Sequence, residues 1–357
     1  MSSDKTLSMQ DVANAAGVSR MTVSRCMRND PKIPEATRFR IQEIAIKLGY
    51  RPDPLIQRLN THLGDRKRSS YVGTLAWVTD LSEATSRISP QMAETFDGAK
   101  ARAEASGYMM EEFNLDRKRM TGERLGKILL ARGIQGVLLA GIFKQRFSLR
   151  MPWDQFSVVT IGYLLRNPQF HRIANHQLHT GRTALHALHR KGYKRIGLAI
   201  TRQTNAYSDN LWLDALVFYQ RSIPLNHRVP AYMPSKWDEC SFIQWVQKNR
   251  PDSLISNDTN ILGMLERNGF RVPGDIGYVN MDWTSTRPEL SGVDQQRFAT
   301  GEASVDMLTG MLYRNEKGIP KIPRVLMLEG TWVEGTTVVN VRCPRCDSQG
   351  SPSERRC

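Results

Sequence analysis

Residues 7–54 read LSMQDVANAAGVSRMTVSRCMRNDPKIPEATRFRIQEIAIKLGYRPDP, and this pattern predicts a helix-turn-helix followed by a third helix. Apolar residues recur at helical spacing between Met9 and Ala16 and give the first helix one buried face. Gly17 is expected to end that helix, because glycine adopts left-handed backbone angles without steric cost. The third helix is expected from Pro34 to Leu48, since proline is favoured early in a helix.

The second helix of this segment has a basic, exposed face. It follows the capping residue Ser19 and runs to about Asn29, with Val23 and Met27 on its buried side and Cys26 at the margin. The opposite face carries Arg20, Met21, Ser24 and Arg25. In a major groove, arginine can bond guanine O6 and N7, and hydroxyl groups can bond phosphates. The segment predicts a DNA reader; the alternative is a small helical bundle that only looks like one.

Two runs in this segment resemble the LacI/GalR (lactose-repressor/galactose-repressor) family. DVANAAGVSRMTVSRCMRND is similar to the family's DVAxxAGVSxxTVSRxLN, and ATRFRIQEIAIKLGYRPDPLIQRL is similar to its TRxRIxxxAxxLGYRPN. The resemblance implies base-edge contacts from Arg20, Met21 and Arg25. It also implies phosphate contacts from Ser19, Thr22 and Asn29. Met21 offers only an apolar contact, for example with a thymine methyl group.

The segment at residues 51–70 has two interpretations. It is rich in proline, charge and small residues, which is typical of a flexible linker. The family resemblance implies instead a hinge helix that folds when two subunits meet on DNA and inserts a leucine into the minor groove. That leucine is Leu59 here. The small residue and arginine that usually precede it are replaced by Ile56 and Gln57.

Length and charge are consistent with a DNA-binding protein of two modules. The chain has 357 residues and a formal net charge of +15. Residues 1–70 carry 13 Lys and Arg against 7 Asp and Glu, and the rest of the chain is basic too. A basic balance suits nucleic acid without locating the binding site. The sequence has no apolar run long enough to span a membrane and no signal-like N-terminus, so we expect a cytoplasmic protein.

From Tyr71 onward, short apolar runs alternate with helical stretches. Strands are expected at residues 71–79, 108–114, 136–141, 157–162, 195–201, 252–256 and 276–281, with helices at 92–107 and 178–191. This alternation predicts parallel sheets with helices on both faces, and its length favours two lobes with a cleft between them. Ligands bind such folds at the carboxyl ends of the strands.

The family resemblance continues here more weakly. KGYKRIGLAI is similar to the family's LGHRRIAFIG, and residues 251–283 are similar to its PTAVFAAND…VVGFDD segment. The resemblance implies a periplasmic-binding-protein-like module in which Asn257 and Asp282 bind a sugar effector. Each has a structural alternative, since Asn257 could cap a helix and Asp282 could end a strand. Trp212 and Trp283 could stack on a sugar ring or serve only as packing.

The cleft also departs from the family pattern. The family's RxxGF arginine has no counterpart in residues 209–216, DNLWLDAL, and its aromatic NPFF segment is replaced by residues 82–87, SEATSR. Near the C-terminus, the family's VxRxST reads VEGTT at residues 333–337. The effector chemistry is therefore expected to differ from that of relatives.

No pattern in the sequence calls for a metal, a cofactor or catalysis. Cys343 and Cys346 have ligand spacing, but a zinc knuckle needs four ligands and no second pair follows. Five of the seven histidines lie between His171 and His189, where interspersed lysines and arginines favour a solvated basic face over a metal site. P-loop, GxGxxG, HExxH and GxSxG motifs are all absent.

The sequence thus predicts an N-terminal all-α helix-turn-helix domain joined to an α/β two-lobed periplasmic-binding-protein-like domain. The expected units are 1–50 for DNA binding, 51–70 as hinge, 71–340 for effector binding and dimerisation, and 341–357 as a disordered tail. The expected function is a homodimeric repressor of a palindromic operator, modulated by a small molecule such as a sugar. The alternatives are a constitutive regulator that has lost effector sensing, and an enzyme with an appended DNA-binding head.

Overall fold

The structure is a computed structural model that describes residues 9–27, 32–48, 73–80, 90–116, 119–141 and 149–341. The proposed hinge with Leu59, the DNA-contact candidate Asn29 and the tail with Cys343 and Cys346 lie outside the described residues.

The N-terminal unit consists of helices α1 (Met9–Ala16), α2 (Arg20–Met27) and α3 (Glu35–Lys47). Gly17 follows α1 with a φ of 66°, a left-handed conformation that glycine adopts without strain. The core of the unit is formed by small and branched side chains: Val12, Ala13, Ala16, Val23, Cys26, Ile41 and Ala45. The expectation that Cys26 lies at the margin is wrong. Its position three residues after Val23 places it on the same helix face, and it is fully buried.

The first lobe of the larger unit, the N-lobe, contains a parallel sheet. Its described strands follow the order β10–β5–β4–β3–β1–β2. They are β1 (Gly73–Thr79), β2 (Tyr108–Asn114), β3 (Gly136–Ala140), β4 (Ser157–Ile161), β5 (His171–Asn175) and β10 (Val325–Leu328). Helices α4 (Pro90–Ala105), α5 (Gly122–Ala131) and α11 (Arg297–Tyr313) pack on this sheet.

Both faces of the N-lobe sheet are covered because side chains alternate along its strands. In β1, Leu75 and Trp77 pack with α4 and α11, whereas Ala76 and Val78 pack with α5. A strand buried on both faces has to be apolar throughout, which explains the continuous apolar run at residues 75–78.

The second lobe, the C-lobe, contains a sheet with the strand order β11–β9–β8–β7–β6. Its strands are β6 (Ile196–Leu198), β7 (Ser253–Ser256), β8 (Gly277–Trp283), β9 (Gly292–Asp294) and β11 (Thr331–Val333), and β11 alone is antiparallel to its neighbour. Its helices are α6 (Gln177–Lys191), α7 (Arg202–Tyr207), α8 (Leu211–Arg221), α9 (Glu239–Asn249) and α10 (Asn260–Arg267). The predicted βα alternation in two lobes is confirmed.

The chain passes between the lobes three times: after β5, between β9 and α11, and between β10 and β11. Asn175 ties these crossings together. Its Nδ2 donates to the backbone oxygens of Gln295 at 3.2 Å and Leu328 at 3.1 Å, one on each of the other two crossings. Its Oδ1 accepts from Thr180 Oγ1 at 2.7 Å. The side chain is buried, so these bonds are shielded from water.

Helices α4 and α11 approach each other closely at two glycines. A Cβ atom on Gly98 would lie 2.0 Å from the backbone oxygen of Phe298, and one on Gly301 would lie 2.1 Å from that of Thr95. Only glycine fits at these positions, and the close contact fixes α11 on the N-lobe.

Within the described ranges, we find no helix with both the length and the apolar character needed to cross a membrane. The same ranges contain no group of three or more His, Cys, Asp or Glu side chains arranged to hold a metal ion.

Candidate functional site

The first candidate site is the exposed face of α2. The hydroxyl of Ser19 accepts a hydrogen bond from the backbone N–H of Thr22 at 3.1 Å, so Ser19 caps the helix as expected. Arg20 and Arg25 are exposed on the surface, and Met21 is 62% exposed. Met21 is not part of the core that the described residues of this unit form, and an exposed methionine between two arginines fits a face that contacts a partner.

The other helices hold α2 by its backbone. Gln42 Nε2 of α3 donates to the backbone oxygen of Cys26 at 2.9 Å, near the C-terminal end of α2. Arg40 Nη1 donates to the backbone oxygen of Ala16 at 3.3 Å. These bonds satisfy carbonyl groups at the ends of α1 and α2. The side chain of Ser24 lies outside the described part of the structure.

The second candidate site is a cavity of about 420 Å³ between the two lobes. It lies where strands end, since Ile161, Asn175 and Asp282 close or nearly close β4, β5 and β8. Among the described residues that line it, Asp282 and Arg297 are the only charged side chains. The remaining polar lining consists of amides and hydroxyls: Gln91, Thr95, Tyr163, Asn175, Gln177, Thr204, Tyr207, Ser208, Asn257, Gln295 and Thr300.

Asp282 and Arg297 form an ion pair in the cavity wall. Arg297 Nε donates to Asp282 Oδ1 at 2.9 Å, and Nη2 donates to the same oxygen. The two side chains are only 17% and 26% exposed, respectively. Because the pair neutralises itself, the cavity carries little net charge on its described surface, although Oδ2 of Asp282 is still free of this bond.

A chain of hydrogen bonds through two side-chain amides crosses the cavity floor, and each bond in it can run in only one direction. The indole Nε1 of Trp212 donates to Gln177 Oε1 at 2.6 Å, Gln177 Nε2 donates to Gln295 Oε1 at 3.1 Å, and Gln295 Nε2 donates to the backbone oxygen of Met281 at 2.7 Å. An indole can only donate and a carbonyl can only accept, so neither amide can flip without losing a bond. The floor therefore presents its groups to a ligand in one arrangement.

Glu94, in the N-terminal half of α4, lies within electrostatic range of the cavity's ion pair. Burial raises the pKa of Glu94, repulsion from Asp294 and Asp282 raises it further, and attraction to Arg297 opposes the shift. Arg297 is thus the cation that offsets several carboxylates here. This arrangement disfavours an anionic ligand more than a neutral one.

Of the four effector candidates, three line the cavity and one does not. Asn257, Asp282 and Trp212 line it, and Trp212 is 5% exposed in its floor. Trp283 lies outside it, packed against the C-lobe cluster that contains Tyr278 and Leu290. Asp282 and Trp283 are neighbours in a strand, so their side chains point to opposite sides. The interpretation of Trp283 as a stacking platform is therefore not supported by its position.

Four of the lining residues were not predicted from the sequence: Asn175, Gln177, Gln295 and Arg297. Asn175 is the last residue of β5 and Gln295 directly follows β9, while Gln177 and Arg297 begin the helices that come next. Polar residues at the carboxyl ends of parallel strands are a signal that could have found them. They were overlooked because a polar residue at a strand end is also an ordinary helix cap.

Two family models match parts of this chain. The family model described as bacterial regulatory proteins, lacI family, matches residues 8–53, and the periplasmic binding protein-like domain model matches residues 185–338. Among curated relatives, the HTH-type transcriptional repressor CytR of Escherichia coli (strain K12) is 23% identical over 330 residues, covering 87% of this chain and 91% of CytR.

Two solved structures share the fold. The transcriptional regulator CelR in complex with cellobiose has a TM-score of 0.56 at 20% identity, covering 93% of this chain and 99% of CelR. The lac repressor dimer bound to operator and the anti-inducer ONPF has a TM-score of 0.54 at 21% identity, covering 94% of this chain and 100% of the repressor chain.

Proposed function

Because the chain belongs to the lacI family of bacterial regulatory proteins, we propose that it is a repressor that binds a palindromic operator as a dimer and responds to a small neutral ligand in the cleft. The observation that carries the proposal is the union, in one chain, of the exposed basic face of α2 with a two-lobed unit that encloses a polar cavity. One element suits reading DNA, and the other suits sensing a molecule.

For the DNA contact, we propose that Arg20, Met21 and Arg25 reach base edges and that Ser19, Thr22, Ser24 and Asn29 contribute polar contacts. Arg20 and Arg25 are long, exposed cations on the same face, as readout of guanine requires. A dimer would present two such helices about one helical turn of DNA apart. Leu59 belongs to this proposal as a minor-groove wedge.

For the ligand, we propose a carbohydrate or sugar derivative bound by Asn257, Asp282 and the floor around Trp212. The lining of amides, hydroxyls and one self-neutralised ion pair fits a neutral molecule with many hydroxyl groups. Cellobiose in CelR supports this class without fixing the sugar. The units of the proposal are residues 1–50 for DNA, 51–70 as hinge and 71–340 for the ligand.

We also propose binding without catalysis. The relatives are named as transcription regulators, and in the described part of the chain the cavity contains one carboxylate, which is already engaged by Arg297. The proposed place of action is the cytoplasm, where bacterial DNA is found.

The test of DNA binding is selection of bound duplexes from a random-sequence pool at near-physiological salt. A recovered palindrome with a central pyrimidine–purine step supports the dimeric reader and the Leu59 wedge together. Binding that is independent of sequence and falls steeply with salt contradicts sequence-specific repression.

The test of ligand binding is a thermal-shift screen with cellobiose, glucose and related saccharides, since a ligand of the native state raises the melting temperature. Active compounds are then added to operator-binding assays of Asn257→Ala and Asp282→Ala. We expect both variants to lose the response, whereas Asp214→Asn, an exposed carboxyl of α8, keeps it. A full response in both cavity variants contradicts the proposed site. A screen in which no saccharide raises the melting temperature favours the alternative, a constitutive regulator that has lost effector sensing.

A further inference from the structure

An ion pair joins the two lobes beside the cavity. Arg166 belongs to the N-lobe loop at residues 162–170, which follows β4, and Asp209 belongs to the C-lobe turn between α7 and α8. Arg166 Nη2 lies 2.7 Å from Asp209 Oδ1. A contact of this kind exists only while the lobes are close together.

The two partners flank the cavity at its rim. Tyr163 and Leu164, just before Arg166 in the chain, line the cavity from the N-lobe. Tyr207 and Ser208, just before Asp209, line it from the C-lobe. The ion pair therefore bridges the two stretches of chain that must separate when the cleft opens on this side.

The turn that carries Asp209 is rigidly held. Asp209 and Asn210 have φ angles of 58° and 65°, a left-handed conformation that Asp and Asn tolerate better than most residues. The backbone N–H of Asn210 donates to the oxygen of Asn205 at 2.8 Å, and Asn205 Nδ2 donates to Asn210 Oδ1 at 2.9 Å. Asn205 is 6% exposed, which anchors the turn in the lobe.

The loop that carries Arg166 is anchored as well. The preceding Leu165 is 3% exposed, and its backbone oxygen accepts from Arg172 Nη2 at 3.2 Å. The Arg172 guanidinium also lies over the ring of Tyr163, 5.4 Å from its centre. With both stretches of backbone held, forming the pair orders the two side chains but not the loop and turn that carry them.

A second cation lies in range of the same carboxylate. Burial lowers the pKa of Arg172 and repulsion from Arg166 lowers it further, while attraction to Tyr163 and to Asp209 opposes the shift. Asp209 thus interacts with two guanidinium groups of the opposite lobe. Asp209 is also the first residue of the DNLWLDAL stretch, where the family's RxxGF arginine has no counterpart. In this chain, the same stretch supplies a contact between the lobes instead.

We propose that the Arg166–Asp209 ion pair is a latch that holds the two lobes together across the cavity rim before any ligand binds. Its regulatory consequence rests on the proposed function: a ligand that enters or leaves has to break the latch, so the latch sets the resting balance between open and closed cleft. Because Arg166 and Asp209 are 47% and 35% exposed, salt reaches the pair and weakens it.

The test measures the distance between the lobes by pulsed electron spin resonance, without any ligand. One spin label is attached to the native, exposed Cys240 at the start of α9, and the other to Lys127→Cys on the exposed side of α5. Cys343, Cys346 and Cys357 are changed to serine, and labelled chains are diluted with unlabelled ones so that only distances within one chain contribute.

We compare Arg166→Ala, Asp209→Asn and the double variant with the parent protein. Asparagine keeps the shape and the left-handed preference of Asp209, so only the charge is lost. Each single variant should raise the ratio of long to short distances about two- to fivefold, and the double variant should add nothing further. About 1 M NaCl should have the same effect on the parent and none on the variants.

The matched control is Arg271→Ala, which breaks an ion pair of 2.8 Å with Asp275 inside the C-lobe. It should leave the interlobe distances unchanged. Unaltered distances in both single variants, or additive effects in the double variant, overturn the latch. If the variants open as expected while cellobiose and glucose shift no distance, the latch stands and the ligand part of the proposed function fails instead.

Discussion

Arg297, the first residue of α11, donates from both Nε and Nη2 to a single oxygen of Asp282, the penultimate residue of β8. The bond joins a strand of the C-lobe to the helix that completes the N-lobe. It also neutralises the charge of the cavity wall, because Asp282, the carboxylate that the family resemblance implies in effector binding, is paired with Arg297.

We expect Arg297→Ala to lower the free energy of unfolding by about 1–3 kcal/mol, since it leaves a partly buried carboxylate without its donors. Urea denaturation at neutral pH measures the loss. The control is Arg287→Ala, which breaks an exposed pair with Glu289 and should cost less than about 1 kcal/mol. Equal losses in the two variants would show that the ion pair of Asp282 contributes no more to stability than an exposed ion pair does.

Arg25→Ala should reduce the discrimination between the operator and a single-base variant by about 1–3 kcal/mol at one base pair in each half-site. The reason is that, under the proposed readout, Arg25 donates two hydrogen bonds to one guanine, and alanine donates none. Competition binding against all variants of the selected operator measures it, with Arg221→Ala in α8 as the control. A uniform loss of affinity on every sequence would indicate a phosphate contact instead.

Gly301→Ala and Gly263→Ala should change stability in opposite directions. A methyl group at Gly301 would lie 2.1 Å from the backbone oxygen of Thr95, so we expect a loss of about 1–3 kcal/mol or more. At Gly263, inside α10, the same methyl group meets only the end of the Arg267 side chain at 3.2 Å. There we expect a gain of about 0.5–1 kcal/mol from helix propensity. Thermal and urea unfolding of both variants check the signs.

We expect protonation of Glu316 to lower the free energy of unfolding at acid pH. Burial of its carboxyl favours the neutral form, but hydrogen bonds from His171, Arg314 and Arg324 outweigh this and lower its pKa from 4.5 to about 2. A folded-state pKa below the unfolded value means that the stabilisation is full above pH 4.5 and disappears as the pH falls towards 2.

Glu316→Gln should therefore destabilise the protein at neutral pH and flatten its loss of stability between pH 4.5 and 2. Urea unfolding across that range measures both effects. Glu104→Gln, an exposed carboxyl of α4, should stay within about 0.5 kcal/mol of the parent at neutral pH. An unchanged acid slope in Glu316→Gln would contradict this role for the carboxylate.

The parts of the fold that follow from local rules were predictable. Gly17 and Ser19 mark a helix end and a helix start by their own chemistry, and the structure has both. Strands β1, β3, β4, β6, β7 and β8 were visible as apolar runs, whereas β5, β9 and β11 were not predicted. Strand β10 was not predicted, because its residues are largely exposed and lie at a sheet edge, where no burial pattern develops.

The cavity was harder to predict than the fold. Asn257 and Asp282 came from the family resemblance, and both line it. The position of Trp283 depends on which side of β8 faces the cavity, and a single residue shift reverses that choice. Gln177 is bound by Trp212, which is distant in the sequence, and Arg297 binds Asp282 across a connection between the lobes. No local sequence pattern indicates such contacts.

The three crossings between the lobes impose an order on biosynthesis. Helix α11 packs against Leu75 and Trp77 of β1 through Val305, Leu308 and Met311. One face of the N-lobe sheet is therefore completed by a helix that is synthesised more than two hundred residues after β1. A nascent chain that has emerged only as far as Asp294 has α4 on that face but not α11, while the C-lobe already has strands β6 to β9. It follows that β1, the earliest strand of the N-lobe, is among the last to be fully buried, and that the partly made chain exposes apolar surface until α11 docks.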